Sequence, residues 1–362
     1  MHMNIRKILP LALLSALLFS VSCSNDIDLG TDTNLPTSYE KGILIANEGG
    51  FTTPTADVSF LSNTLAFGYN NIYTNTNKEE LGKVLQSIGL NGDRAYLVSN
   101  IPNKIDIVNR TNFKKITTVT ANLDNARYIA FSGGKYYVTN NNFTTVPNVR
   151  KVNVYNVSDN AYVSSINFPR YAEKIVEAEG NIIVQTDGVG YDFSTTPATS
   201  FATGYTITVV KPSTNTAEQP IVLPNVGIIR DLISYKGAAY VLASDNTNSY
   251  IYKINSSAGT YTTTTITGIP QGQKLRADDD KFYLFTSSKE VFKMNIGSTV
   301  VPTVPLLSLF GNVYGFDVID GKLYASDASF TSDSKVYVYD TAGGNLLKNF
   351  IAGIGTNGFY KN

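Results

Sequence analysis

The chain of 362 residues has one cysteine, one histidine and no tryptophan. The histidine is His2 and the cysteine is Cys23, and both lie in or beside a segment that resembles an export signal. A processed chain therefore contains no histidine, which excludes Ser-His-Asp and Cys-His nucleophilic sites and zinc sites of the usual nitrogen and sulfur type. A single cysteine also leaves no partner for an intramolecular disulfide.

Charge is scarce and balanced, with 29 basic and 29 acidic residues that together make up 16% of the chain. A nucleic-acid partner requires a basic face that neutralises phosphates, so this balance gives no reason to expect one. No phosphate-binding GxxxxGK[ST] or GxGxxG motif is present. We therefore predict no nucleic-acid partner, no cofactor and no metal.

The residues that are abundant in the chain are those that favour strands and turns. Hydrophobic residues make up 43% of it, with 23 tyrosines and 18 phenylalanines. Aromatic and β-branched residues favour strands, while the abundant asparagines and 28 glycines favour turns. The composition predicts an all-β protein with a sizeable core.

The N-terminus resembles a bacterial lipoprotein signal. Arg6 and Lys7 precede an apolar run of 14 residues, 8–21, which is too short to span a bilayer and predicts a signal peptide over residues 1–22. Ser20-Val21-Ser22-Cys23 resembles a lipobox, although Ser20 stands where that pattern prefers leucine. We predict that Cys23 is lipidated; the alternative is an ordinary secreted protein with an incidental thiol.

Residues 23–40 lack apolar periodicity and are predicted to form a flexible tether between the lipid anchor and a domain over residues 41–362. The acidic start of this tether, residues 23–28, resembles the signal by which Bacteroidetes lipoproteins reach the cell surface. A solvated linker that happens to be acidic is the alternative.

Internal repetition is the strongest signal in the domain. A turn followed by an aromatic or aliphatic strand recurs at intervals of 41, 46, 57, 43 and 41 residues, with anchors that end at Tyr96, Tyr137, Ile183, Tyr240, Tyr283 and Tyr324. Each unit contains four short alternating runs, which is typical of propeller blades. Six anchored units and one N-terminal unit predict a seven-bladed β-propeller with four antiparallel strands per blade.

The N-terminal unit has no innermost strand of its own, while Gly358-Phe359-Tyr360 is left over at the end of the chain. We predict that this C-terminal strand completes the first blade and closes the ring, which removes an exposed sheet edge. A two-sheet sandwich is the alternative, but it explains the alternation and not the period.

Two stretches carry a family resemblance, residues 125–140 and the opening Ile43-Leu44-Ile45-Ala46-Asn47-Glu48-Gly49. They resemble the YncE-like seven-bladed propellers of Bacteroidetes surface lipoproteins, and within that group the chain is similar to BtuG-type proteins. Those proteins capture cobalamin and sit over a TonB-dependent transporter. The resemblance implies a lipid-anchored protein of the outer membrane, exposed at the cell surface, with a corrinoid ligand and a TonB-dependent receptor as partner.

In a propeller, the loops after the second strand of each blade and those that enter the inner strands share one face. Polar and aromatic residues at these places form the predicted ligand-binding rim: Asn47, Glu48, Asn100, Arg127, Tyr128, Asn140, Arg170, Tyr171, Asp187, Arg230, Asp245, Arg276, Tyr314 and Asp327. Tyrosine offers area with a polar tip and arginine a rigid donor fork, which suits a large, flat ligand fringed with amides such as a corrinoid. The alternative is structural, with asparagines capping strands and Tyr-Arg pairs packing between blades.

Three functions remain open at this point. The first is a surface protein without catalytic activity that binds a nutrient, most simply a corrinoid, and passes it to a transporter. The second is a calcium-dependent propeller hydrolase in which Glu48, Asn100, Asn140 and Asp245 hold the metal. The third is a structural or adhesive surface protein that binds glycan or protein through the same face.

Overall fold

The computed structural model describes residues 36, 38–142 and 147–362, together with the backbone of Asp26–Ile27. The predicted signal peptide and Cys23 lie outside the described residues, so both stay predictions. The described chain forms a ring of seven antiparallel sheets, which confirms the all-β, seven-bladed propeller.

The first four blades have their strands in this order from the inside of the ring outward. Blade 1 comprises β32 (Thr356–Lys361), β2 (Gly42–Asn47), β3 (Asp57–Ser62) and β4 (Gly68–Tyr69). Blade 2 comprises β5 (Val84–Asn91), β6 (Arg94–Ile101), β7 (Asn103–Asn109) and β8 (Lys115–Val119). Blade 3 comprises β9 (Ala126–Ser132), β10 (Lys135–Asn142), β11 (Val149–Asn156) and β12 (Tyr162–Asn167). Blade 4 comprises β13 (Ile175–Ala178), β14 (Asn181–Gln185), β17 (Thr206–Lys211) and an outer strand split into β18 (Thr216–Ala217) and β19 (Ile221–Val222).

The remaining blades follow the same order. Blade 5 comprises β20 (Ile228–Tyr235), β21 (Ala238–Ser244), β22 (Asn248–Asn255) and β23 (Thr260–Thr267). Blade 6 comprises β24 (Gly272–Asp278), β25 (Lys281–Thr286), β26 (Glu290–Asn295) and β27 (Leu307–Ser308). Blade 7 comprises β28 (Val313–Ile319), β29 (Lys322–Asp327), β30 (Asp333–Asp340) and β31 (Leu346–Ile354). One hairpin, β15 (Val189–Asp192) and β16 (Thr199–Ala202), is inserted into blade 4.

The core lies between neighbouring blades. Second strands such as β14 are buried along their whole length, because both faces of each sheet pack against an adjacent blade. One cluster joins Tyr137 and Val154 of blade 3 to Ile182 and Val184 of blade 4. This sandwiching explains why second strands are continuously apolar instead of alternating.

The C-terminal strand closes the ring as predicted. β32 pairs antiparallel with β2, with Phe359 opposite Ile45 and Tyr360 opposite Leu44. Blade 1 is thus assembled from the two ends of the domain, and its inner strand leaves no unpaired edge on β2.

The N-terminal segment approaches the ring from one side. The loops between second and third strands lie on one face of the ring, which we call the mouth face. Because second strands run toward this face, the chain enters β2 at Gly42 from the opposite face. There Tyr39 is buried, and its N–H donates to the Thr111 carbonyl at 2.7 Å. Farther upstream, β1 (Asp26–Ile27) pairs in parallel with β31. Two points of the predicted tether therefore contact the propeller.

Helix is almost absent from the described residues. A single short helix, α1 (Ile72–Asn77), follows blade 1, and Asp57 accepts hydrogen bonds from the backbone N–H groups of Tyr73 and Thr74 at its start. Within the described part of the chain, no helix is long and apolar enough to cross a membrane.

Candidate ligand-binding site

The inner strands share an irregularity at the end nearest the mouth face. In six of the seven blades the pairing of the inner strand with the second strand shifts there, which is the signature of a β-bulge. The residues skipped by the pairing are Gln86, Arg127–Tyr128, Arg230, Gln273, Tyr314–Gly315 and Asn357. Bulges re-aim side chains and are common beside functional sites.

A cavity of about 530 Å³ lies on the ring axis, and we call it the axial pit. All seven inner strands line it, through residues that include Gln86, Tyr128, Ile175, Leu232, Arg276, Asp317 and Phe359. Four bulge residues, Gln86, Tyr128, Tyr314 and Asn357, are among its walls. Small-molecule sites commonly measure about 300–1,000 Å³, so the pit is large enough for a ligand or part of one.

One side of the rim is held by a hydrogen-bonded network around Arg127. Its guanidinium pairs with the Glu173 carboxylate at 2.6 Å and also donates to the Gln86 side chain. Asn100 donates to the same Gln86 oxygen, and Asn141 donates to Glu173 at 2.9 Å. Burial opposes the charged form of Arg127, but the Glu173 carboxylate outweighs it and raises the arginine pKa. This network connects blades 2, 3 and 4 at the mouth.

The neighbouring part of the rim is organised by Glu48, at the end of the second strand of blade 1. Its carboxylate accepts a 2.6 Å hydrogen bond from the Tyr314 hydroxyl and a longer one from the Asn357 amide. Burial and the Glu48 charge raise the pKa of Tyr314, so the phenol remains a proton donor at neutral pH. Blades 7 and 1 are thereby joined at the mouth.

A chain of charges crosses the wall of the pit between these two sides. The Asp231 carboxylate bonds to Lys174 Nζ and to Arg276 Nη1, each at 2.8 Å, and it accepts a backbone hydrogen bond from Leu275. Arg276 reaches Asp317 with its Nε at 3.1 Å. Burial alone would raise the pKa of Asp231, but the two cations and the hydrogen bonds lower it to about 2.

Lys274 stands apart from this chain. Its ammonium donates to the backbone carbonyl of Tyr314 and lies 5.8 Å from the centre of the Tyr314 ring. Desolvation in the pit, together with the positive charges of Lys174 and Arg276, lowers the pKa of Lys274 to about 7. Functional sites often contain a lysine whose pKa is lowered enough that it is partly neutral at physiological pH.

The structure brings only some of the predicted rim residues to the pit. Tyr128, Arg276 and Tyr314 line it directly, and Glu48, Arg127 and Asn100 bond to residues that do. Among the described residues, no group of three histidine, cysteine, aspartate or glutamate side chains could hold a metal.

Four other predicted residues have structural partners away from the pit. Asn47 and Asn140 are fully buried; Asn47 bonds to Ser59 and Asn140 to backbone groups. Asp245 accepts backbone hydrogen bonds within its own turn, and Asp327 accepts one from Asn312. These side chains form hydrogen bonds at the ends of blades, which is the structural role given above as the alternative to ligand binding.

The last four predicted residues surround the hairpin of β15 and β16. Arg170 and Asp187 form a bidentate pair at 2.6–2.7 Å at the base of this hairpin. Tyr171 packs beside Gly188, and Arg230 lies on β20, which the hairpin contacts. This group is on the mouth face but outside the walls of the pit.

The hairpin carries some of the exposed aromatic side chains on the mouth face. Phe193 is 81% exposed and Phe51 is 75% exposed. The full set, placed by its loops between second and third strands or before inner strands, is Phe51, Tyr191, Phe193, Phe201, Phe310 and Phe330. We call these six residues the aromatic set; they belong to blades 1, 4 and 7 and to the loop between blades 6 and 7.

Sequence reasoning missed several residues that line or support the pit: Gln86, Glu173, Lys174, Asp231 and Asp317. A usable signal was present, because charged residues interrupt otherwise apolar inner strands. Asp231, for example, stands in Ile228-Ile229-Arg230-Asp231-Leu232-Ile233 and is only 1% exposed. A buried carboxylate in a strand requires a cationic partner, which the local sequence does not name.

Comparison with solved structures supports the fold. A quinonprotein alcohol dehydrogenase-like protein from Bacteroides thetaiotaomicron is similar with a TM-score of 0.66 and 14% identity, over 90% of this chain and 79% of that one. The dihydro-heme d1 dehydrogenase NirN, in complex with DHE, has a TM-score of 0.55 and 12% identity, over 92% and 78%. The computationally designed Ika8 protein has a TM-score of 0.50 and 11% identity, over 84% and 86%. At such identities the likeness concerns the fold alone.

Comparison with curated protein sequences found no match. A family model described as Domain of unknown function (DUF5074) matches residues 41–350, which is most of the chain and nearly the whole propeller. The protein therefore belongs to the DUF5074 family.

Proposed function

We propose that this protein is a lipid-anchored propeller of the outer membrane that binds a corrinoid on its mouth face and passes it to a TonB-dependent receptor at the cell surface. The observation that carries the proposal is the bulge that recurs at the mouth end of six inner strands, because four of its residues, Gln86, Tyr128, Tyr314 and Asn357, line the axial pit. Bulges bend a strand and re-aim its side chains, and they are over-represented next to active sites.

The dimensions of the site favour a ligand that lies across the mouth. A corrin ring with its side chains is too large to enter a pit of about 530 Å³, whereas one pendant group fits. The aromatic set offers flat surfaces at the mouth, and Asn100 and Arg127 have N–H groups besides those that bond to Gln86 and Glu173. Hydrogen bonds to charged groups contribute about 1.5–3 kcal/mol each.

The path of the chain is compatible with an anchor at Cys23. The described N-terminal residues reach blade 1 from the face opposite the mouth. An acyl group attached upstream then leaves the mouth face open to ligand, and the propeller remains at the surface of the membrane.

A direct test is calorimetry of the purified protein with cyanocobalamin. The informative variant is Tyr128→Ala, because Tyr128 lines the pit, and its matched control is Tyr162→Ala on the outer strand of the same blade. We expect the first to weaken binding about tenfold, by loss of 1–2 kcal/mol of contact, and the second to leave it unchanged. Absence of heat with the parent protein, or equal losses in both variants, would argue against the proposal.

Binding without catalysis is the form of the proposal that the site chemistry supports. The four residues considered for a calcium-dependent hydrolase are separately engaged: Asn140 and Asp245 serve blade ends, Glu48 accepts from Tyr314, and Asn100 donates to Gln86. The arrangement offers hydrogen-bond donors and fixed charges, which serve recognition.

The aromatic set favours a second candidate, adhesion to a glycan or protein through the same face. Exposed aromatic patches rimmed by polar residues are typical of interaction surfaces. Phe193→Ser separates the two functions, because it changes the tip of the hairpin and leaves the pit intact. If adhesion is the function, this variant loses retention on outer-membrane glycan or protein while cyanocobalamin produces no heat with the parent.

A further inference from the structure

The charges in the walls of the axial pit do not balance. Three cations, Lys174, Lys274 and Arg276, face two carboxylates, Asp231 and Asp317. Lys174, Asp231, Arg276 and Asp317 bond to one another in sequence. Among the described residues no carboxylate forms an ion pair with Lys274, whose ammonium contacts the Tyr314 carbonyl and lies near the Tyr314 ring.

The neighbours beyond this cluster do not supply the missing counter-charge. Besides Lys274, the titratable or charged groups around the pit come from the inner strands, from the residues just before them and, for Glu48, from the end of a second strand. They are Arg127, Tyr128, Glu173, Lys174, Arg230, Asp231, Arg276, Tyr314, Asp317, Tyr360 and Glu48. Arg127 pairs with Glu173. Arg230 and Glu48 add one cation and one carboxylate, so the surplus remains one positive charge.

A partly buried cation without a counter-ion is destabilising, and proteins keep such groups mainly where a ligand completes them. We propose that the axial pit binds an oxyanionic group of the ligand, a phosphodiester or a carboxylate, and that the Lys274 ammonium contacts this group directly. Lys174 and Arg276 are paired with Asp231 and Asp317, so the surplus positive charge belongs to Lys274. The inference deepens the proposed function of the mouth face and depends on it only for the identity of the whole ligand.

Protonation and binding are then coupled. The free lysine has a pKa of about 7, and an oxyanion in contact with it favours the charged form and raises that pKa. Only the protonated lysine binds the oxyanion well. Affinity therefore falls about fivefold from pH 7 to pH 8 and about tenfold per unit at higher pH, until the pKa of the bound lysine is reached; below pH 7, where Lys274 is mostly protonated, it levels off.

The test follows the ε-carbon NMR resonance of Lys274 in protein labelled on lysine, assigned by its loss in Lys274→Met. Dimethyl phosphate and acetate are the two probes, because neither titrates between pH 6 and pH 9 and they represent the two oxyanion classes. We expect the better probe to raise the pKa of Lys274 by about two units and to bind about fivefold more weakly at pH 8 than at pH 7. The probe that does so identifies the class.

Two variants separate a specific site from general anion binding. Lys274→Arg keeps the charge and should retain binding without its dependence on pH between 7 and 8. Lys236→Met removes a lysine that pairs with Asp280 on the opposite face and should leave binding unchanged. No pKa change of Lys274 with either probe, or equal loss of binding in Lys236→Met and Lys274→Met, would overturn the inference.

The same measurements distinguish this inference from the proposed function. If cyanocobalamin gives no heat but a probe raises the pKa of Lys274, the oxyanion site stands and the corrinoid is wrong. If cyanocobalamin binds but neither probe acts and a corrinoid that lacks the phosphodiester-linked nucleotide binds equally well, the corrinoid proposal stands and the oxyanion site is overturned.

Discussion

Two lysines in the same pit should respond in opposite ways to the same substitution. Lys174 pairs with the buried carboxylate of Asp231, whereas Lys274 has no ion-pair partner among the described residues. Lys174→Met leaves Asp231 with one cation fewer, and loss of one partner of a buried pair costs about 3 kcal/mol. Lys274→Met removes an ammonium that the folded protein holds at a cost, so it should stabilise the protein.

The size of the second effect follows from the lowered pKa of Lys274. The lysine titrates near 10.5 in the unfolded chain and near 7 in the pit. At 1.4 kcal/mol per pKa unit, the penalty at pH 7 is at most about 4 kcal/mol. Lys274 is only partly buried and water in the pit screens its charge, and the variant also loses a hydrogen bond to Tyr314. We expect a net stabilisation of about 2 kcal/mol.

The change of this stabilisation with pH distinguishes a charge effect from a packing effect, because packing does not depend on the protonation of Lys274. Between pH 7 and pH 10.5 the unfolded chain binds the lysine proton and the folded protein releases it, so the stability of the parent rises with pH in this window. The advantage of Lys274→Met should therefore fall by about half from pH 7 to pH 9. Urea denaturation followed by circular dichroism measures it.

Three results would refute this reasoning. Lys274→Met could be less stable than the parent at pH 7. Its advantage could be the same at pH 9 as at pH 7. Lys174→Met could match Lys274→Met in sign, which would show that both lysines act through packing of their methylene chains alone.

Two further predictions concern the frame around the site. The pKa of Asp231 is lowered from 3.8 to about 2, so its carboxylate contributes about 2 kcal/mol of stability above pH 4, which is lost as the pH falls toward 2. The difference in unfolding free energy between the parent and Asp231→Asn should therefore shrink by about 2 kcal/mol between pH 5 and pH 2. A difference that stays constant in acid denaturation would contradict this. A chain that ends at Gly355 lacks β32 and exposes the edge of β2, so it should unfold or aggregate; a monomer with the melting temperature of the parent, seen by size-exclusion chromatography and circular dichroism, would show that closure is dispensable.

The ring was predictable because its signals are local. Turn residues before each second strand recur in every unit, and the unpaired Gly358-Phe359-Tyr360 had only one vacant place to fill. The hairpin of β15 and β16 was not predicted, although the interval of 57 residues in that unit is the longest of the series and contains it. Turn spacing shows that extra chain is present and does not show what it forms.

The site was predictable only in outline. Loop positions grouped Tyr128, Arg276 and Tyr314 on one face, because blade order determines which strand ends share a face, and these three residues line the pit. Its ion pairs join different blades: Arg127 and Glu173 are 46 residues apart, and Arg276 and Asp231 are 45 apart. No local pattern encodes such partners. The bulges that aim the side chains likewise depend on pairing with the neighbouring strand, which the sequence of one strand does not determine.

Hydrogen–deuterium exchange with and without cyanocobalamin tests the claim that a ligand occupies the mouth face. We predict slower exchange at the bulges around Gln86, Tyr128, Tyr314 and Asn357, with the turns of the opposite face, such as Gly133-Gly134, unchanged. Slower exchange confined to that opposite face, or none anywhere with cyanocobalamin in excess, would contradict the claim.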